Sequence, residues 1–105
     1  MAKIVCVSNA YQHKYYLDPD FAGMPKQVRD ELKVMCVLFT EDAGGILVME
    51  FDDENQDLLL HSMHNDDDMF YDEIGSEIKI GEIQREKQDL LTSIDRYYKE
   101  VVLKK

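Results

Sequence analysis

The sequence predicts an α+β fold. It reads as a two-layer domain of residues 1–105, with a four-stranded antiparallel sheet from two hairpins, order β-β-α-β-β-α, carrying two helices on one face. Three patterns predict it. Two β-rich segments open the chain, a stretch with helical periodicity follows, and a second pair of apolar runs flanks a polar loop before a long helical pattern.

Lys3 to Val7 is rich in β-branched residues and reads as a strand. Gln12 to Leu17 is aromatic and reads as its partner, through a turn near Ser8 to Ala10. Asp18-Pro19-Asp20 and Gly23-Met24-Pro25 then punctuate the chain. Pro25 suits the first turn of a helix, where its missing N–H is no loss. Behind it Val28, Leu32, Met35 and Phe39 recur at spacings of 4, 3 and 4, which is one helical face. Val34 to Phe39 is apolar on every side, as a buried strand would also be. The periodicity running back through Arg29, Asp30 and Glu31 favours a helix from about Pro25 to Asp42, ended by Gly44-Gly45 in a left-handed cap.

Ile46 to Phe51 is the clearest strand, Asp52 to Gln56 a polar loop, and Asp57 to Met63 the returning partner. Asn65 to Asp68 reads as a loop leading into a helix, with Asp or Asn as cap and acids at the positive end of the dipole. From Met69 on, Ile74, Ile78, Ile83, Leu90, Ile94, Tyr97 and Val101 keep a helical pattern, interrupted by Gly75 and Gly81. Each glycine costs about 1 kcal/mol against alanine, so the helix either runs through or breaks near Gly81.

The charge distribution narrows the function. No Lys or Arg occurs between Lys33 and Lys79; residues 1–33 sum to +1, residues 34–78 to −13 and residues 79–105 to +2, making the formal −10. Such a field repels phosphates and anionic lipids, which excludes nucleic-acid binding and membrane-surface binding, and favours cations or a basic protein partner. Cys6 and Cys36 both sit in apolar runs, which is core usage in a reducing compartment. The N-terminus lacks the apolar core and cleavage site of a signal peptide, and no run approaches the ~20 apolar residues of a membrane span. These features place the chain in the cytoplasm.

Candidate chemistry concentrates at His61-Ser62-Met63-His64-Asn65-Asp66-Asp67-Asp68. His61, His64 and Asp66 are the candidate metal ligands there, since imidazole and carboxylate suit a transition metal. Residues three apart on a strand point to opposite faces, so the two histidines converge only if the strand ends near Met63. The acids from Asp52 fail as a calcium loop, because the sixth position is Asp57 and the twelfth Met63, where Gly and Glu are required. Gly44-Gly45 follows its helix and has no nearby lysine, unlike a phosphate loop. Gly75-Ser76 lacks the G-x-S-x-G spacing of a nucleophile elbow. Tyr11, Tyr15, Tyr16 and His13 read as strand packing with hydroxyls at the rim. No motif names a cofactor.

Longer stretches of text carry a resemblance. Asn9-Ala10-Tyr11, Lys14-Tyr15-Tyr16, Asp30 to Lys33 running into Met35 to Glu41, Gly44-Gly45, Tyr71 to Ser76 and Gly81-Glu82-Ile83 resemble a family of short bacterial proteins, mainly from Gram-positive anaerobes, described as a domain of unknown function. The resemblance spans nearly the whole chain and implies no activity, cofactor or catalytic residue. A looser likeness is to roadblock-type dimeric interaction domains, whose further strands and final helix this chain lacks.

The expectation is therefore a non-enzymatic, cytoplasmic protein-interaction module with an acidic surface, forming a homodimer; the alternative is a small metal- or ligand-binding protein using His61–Asp68. The dimer argument is geometric. A helix unbroken from about Phe70 to Val102 would measure roughly 50 Å, against a domain diameter of about 35 Å. Its far end would then project Leu90, Ile94, Tyr97 and Val101 as an association seam.

Overall fold

The computed structural model describes residues 2–104. Four strands, β1 (Lys3–Asn9), β2 (Lys14–Leu17), β3 (Ile46–Phe51) and β4 (Leu58–Met63), form one antiparallel sheet in the order β2-β1-β3-β4. Three helices accompany it: α1 (Lys26–Ala43), α2 (Glu73–Glu86) and α3 (Gln88–Tyr97). A 3-10 turn at Pro19–Phe21 and a π-helical turn at Tyr98–Val102 complete the elements. The α+β class, the four-stranded antiparallel sheet and the order of elements are as the sequence predicts.

The sheet's period-2 alternation decides which residues meet the helices. Leu47, Met49 and Phe51 of β3 point to the helical side and are buried with Cys6, Leu32, Met35, Cys36 and Phe39 in one core. In β1 the register shifts between Ile4 and Cys6, and Val5 is fully buried at this bulge, its carbonyl accepting from Asp18 N–H at 2.9 Å. Ser8, two residues beyond Cys6, hydrogen-bonds Thr40 of α1 at 2.8 Å, tying strand to helix inside the core. The cysteines are free thiols, their sulfurs 3.8 Å apart.

The helix over Val34–Phe39 resolves the helix-or-strand alternative, because α1 buries Leu32, Met35, Cys36 and Phe39 at helical spacing. It stops at Gly44, whose N–H bonds the Thr40 carbonyl at 2.9 Å with φ of 75°. Gly45 follows at φ 70°, and a Cβ there would lie 2.5 Å from the Tyr71 ring and 2.6 Å from the Met63 carbonyl. Only glycine fits both the backbone and the space.

Three boundaries differ from expectation. The first turn lies after Asn9, not at Ser8 to Ala10; Asn9 is the last residue of β1, and its side chain accepts from the Tyr11 and Gln12 N–H groups, so the residue that ends the strand also organises the turn. The second long helix starts at Glu73, capped by Asp72, which accepts from Gly75 N–H at 2.9 Å. Asp68, expected near that start, is instead held in a turn by the Tyr11 hydroxyl at 2.6 Å. Finally, the helix breaks at Lys87 (φ −111°, ψ 31°) and not at Gly81, which stays helical. The break turns α3 back, so that Leu90, Ile94 and Tyr98 enter the core. The unbroken projecting helix is therefore corrected. Its end packs on aromatic rings: Tyr98 stacks on Phe51 at 3.9 Å, and Phe21 lies 6.2 Å from both.

Candidate functional site

β4 carries His61 on the face turned away from the helices, opposite Val48, and the chain leaves the sheet after Met63. There His61 Nε2 meets Glu50 Oε1 at 2.7 Å. His64 sits on the helical side, where its ring stacks on Tyr71 at 4.7 Å. Its Nδ1–H donates to the Asn65 carbonyl at 3.0 Å and its Nε2–H to Glu73 of α2 at 2.6 Å. Both partners are acceptors, which favours the doubly protonated ring. The Glu73 carboxylate raises the His64 pKa above its ordinary value, with the Asn65 carbonyl adding to the effect. Asp66 is exposed in the turn that follows.

The three candidate ligands thus do not converge. His61 and His64 pair with different carboxylates on opposite sides of the sheet, as strand parity requires once β4 runs to Met63. Among the described residues, no group of three or more His, Cys, Asp or Glu side chains gathers as a metal site would. Ser76 is buried, and its hydroxyl donates to the Asp72 carbonyl at 2.8 Å, a helix-start contact rather than a nucleophile's position.

The most distinctive concave surface lies between α1 and the α2–α3 corner. Asp30, Val34, Leu38 and Asp42 follow one another at i, i+4 along α1, two apolar side chains between two carboxylates. Val34 and Leu38 are 57% and 58% exposed, although each is an aliphatic side chain in the middle of a helix. Met35, Phe39 and Ile83 form the floor, Glu31, Glu82 and Glu86 add to the rim, and the groove has a volume of about 470 Å³. An ion pair from Lys79 of α2 to Asp42 of α1 closes one end, and that carboxylate raises the lysine's pKa. At the other end Asp30 pairs with Lys26 at 2.6 Å, which lowers the Asp30 pKa. Lys87 is the second lysine of the lining, against five carboxylates.

This groove is not assigned by the sequence reading, although a signal exists. Six consecutive apolar residues from Val34 to Phe39 exceed what one helical face can bury, and the surplus must face outward. The proposed dimer residues meet the opposite fate. Leu90 and Ile94 are only 4% and 0% exposed, Tyr97 lies half-buried with its ring 6.1 Å from Phe21, and Val101 is exposed. A seam needs Leu90 and Ile94 outside, and the core holds them.

Among the described residues no helix is long and apolar enough to cross a membrane. The chain belongs to DUF6145, a family of unknown function whose model matches residues 2–105. No curated protein and no solved structure matches it.

Proposed function

We propose that this chain is a non-enzymatic cytoplasmic interaction module whose α1–α2 groove receives a basic amphipathic helix from a protein partner. The observation that carries this reading is the exposed Val34–Leu38 pair in a groove with five carboxylates. Helix-in-groove recognition needs an apolar floor about two turns long for anchors at i, i+3 and i+4. The rim then selects the charge of the incoming helix, and a net −10 steers a cationic one toward it.

The test uses a synthetic 16-residue helix with leucines on one face and lysines on the other, and a scrambled peptide of the same composition. Fluorescence anisotropy should give a Kd in the micromolar range, about −8 kcal/mol. The scrambled control should bind at least ~10-fold more weakly, about 1.4 kcal/mol. Leu38→Lys should weaken the patterned peptide by a similar factor, since it removes an anchor and adds like charge. Equal binding of both peptides, or indifference to Leu38→Lys, would sink the reading.

A homodimer is retained on a different surface, because a specific stripe supports it. Ile74 and Ile78 are 73% and 58% exposed on the outer side of α2, and Gly81 and Arg85 continue their line at spacings of 4, 3 and 4. Two such helices placed antiparallel about a two-fold axis that brings Ile78 opposite the partner's Gly81 also set Ile74 opposite the partner's Arg85, whose guanidinium lies 3.5 Å from the Cβ position of its own Gly81 and swings outward on docking. Sedimentation at ~100 μM, well above a micromolar dissociation constant, should show a dimer that Ile78→Glu converts to a folded monomer. A monomeric wild type refutes the dimer. A dimer indifferent to Ile78→Glu places it elsewhere.

A further inference from the structure

The helices all pack on one side of the sheet, and among the described residues no element covers the other side. Strand register fixes what that outer face carries, because cross-strand partners point the same way. Val48 of β3 lies in one row with Val7 of β1, Tyr16 of β2 and His61 of β4. The row towards the first hairpin turn holds Asn9, Lys14, Ile46 and Met63, and the row on the other side holds Ile4, Glu50 and Leu59. Seven of these eleven side chains are apolar. A solvated face of an antiparallel sheet alternates to polar residues, and this one does not. Val48 is buried by its own neighbours, while Tyr16, Leu59 and Met63 on the two edge strands are 50%, 43% and 46% exposed.

The face is also close to neutral. The chain has 22 acids and a formal charge of −10, yet only one carboxylate and one ammonium stand here. Glu50 meets His61 Nε2 at 2.7 Å, and Lys14 lies two rows away at the opposite end. The groove, by contrast, presents five carboxylates, and the loops at 52–54 and 66–68 carry three acids each. Two copies of this chain repel one another through those surfaces and do not through this one.

We propose that the outer sheet face is a self-association surface that stacks on the same face of a second copy of the chain. The contact is independent of the α2 stripe and lies on the other side of the sheet. A two-fold axis in the interface plane, running across the strands, reverses the rows. The Val48 row then lies over its own counterpart, and the Lys14 end of one copy lies over the Glu50 end of the other. Aligned sheets stack in this way about 10 Å apart, with strands within about 30°. Four strands at about 4.8 Å and three rows deep make a face of roughly 400 Å² in plan, a size at which an exposed apolar patch is often functional. Two copies bury on the order of 1,000 Å², the lower limit of a specific interface. Much of the face is half-buried already, so association is weak, with a Kd on the order of 1 mM.

The test is a dilution series of the Ile78→Glu variant from ~1 mM to ~50 μM, a range that spans that Kd, read by amide chemical shifts. The variant removes the α2 contact, so the sheet face reads alone. Amides of Val7, Tyr16, Val48 and His61 should move along one saturating curve, and those of Ile74 and Gly81 should stay still. Tyr16→Glu at one margin, and separately Leu59→Glu at the other, should weaken the association at least ten-fold while the unfolding midpoint stays near that of the parent. Shifts independent of concentration up to ~1 mM overturn the proposal, as does a dependence that survives both substitutions together. Movement of these amides with the patterned basic helix, and not with concentration, gives the face to a different protein and overturns it as well. Sedimentation of the wild type judges the α2 contact and the dilution series judges this face, so either can fail alone.

Discussion

Tyr98 lies flat on Phe51, ring centroids 3.9 Å apart and planes 8° from parallel, so the last helical turn of the chain is fixed to the end of a central strand. Phe21, in the 3-10 turn after the first hairpin, stacks on both rings at 6.2 Å. Three distant segments are joined there by aromatic contact, a geometry worth more than its buried area alone.

Removing that ring should be costly. Tyr98→Ala leaves a cavity against Phe21 and Phe51 and should destabilise by about 3–5 kcal/mol, as large-to-small aromatic substitutions in cores do. Urea unfolding measures it directly. A variant within 1 kcal/mol of the wild type would mean that the C-terminal turn does not close the core.

Ile94→Lys discriminates the folded-back α3 from a projecting one. Ile94 is fully buried, so a lysine there must carry its charge into the core or drag the helix out. Loss of cooperative unfolding at 25 °C is the expected outcome. A well-folded variant with altered association would restore the projecting helix.

His64 should make stability depend on pH. Its folded pKa is raised by Glu73, so its contribution is present in full below the unfolded value near 6.5 and disappears as pH rises through the folded one. The stability difference between wild type and His64→Gln should therefore be largest below pH ~6.5 and shrink as pH rises above it. Proton NMR should place the His64 midpoint above 6.5 and see it fall in Glu73→Gln. A midpoint unmoved by that substitution would dissolve the pair.

Gly45→Ala meets two obstacles together: a φ of 70° and a Cβ position 2.5 Å from the Tyr71 ring. Strain of either kind costs of order 1–3 kcal/mol, so the melting temperature should drop by several degrees. Gly44 has a similar φ but nothing within 4 Å, so Gly44→Ala should cost less. Equal effects would show that the backbone alone decides.

Periodicity made the sheet and α1 legible in the sequence. Ile46–Phe51 appears with the expected bounds, since an apolar run interrupted only by Glu50 lies between Gly45 and Asp52. Local signals failed where tertiary contacts chose among equals. Several acids between Asp66 and Asp72 can cap a helix, and the Tyr11 hydroxyl, 57 residues away from Asp68, removes that one from the choice. Gly81 is the residue most able to break the helix by propensity, yet the bend sits at Lys87, where it delivers Leu90 and Ile94 to the core. Of the candidate site, the histidines were visible but not their pairing with Glu50 and Glu73, which depends on register. The groove depends on which elements become neighbours, and no single segment encodes that.

The strand order β2-β1-β3-β4 also dictates how the chain must assemble in time. Each outer pair is a hairpin that can zip from its own turn, but the middle pairing joins Asn9 to Ile46, roughly 37 residues apart. Closing a loop of that length costs about 3 kcal/mol of chain entropy before any contact rewards it. α1 occupies half of the gap, and its folding shortens the search by turning eighteen residues into one stiff rod. The Ser8–Thr40 hydroxyl contact is made by the two elements that must meet for β1 to reach β3. Docking of α1 on β1 thus becomes the gate to the native sheet, and substitutions along Cys6, Ser8, Cys36 and Thr40 should slow refolding more than they speed unfolding.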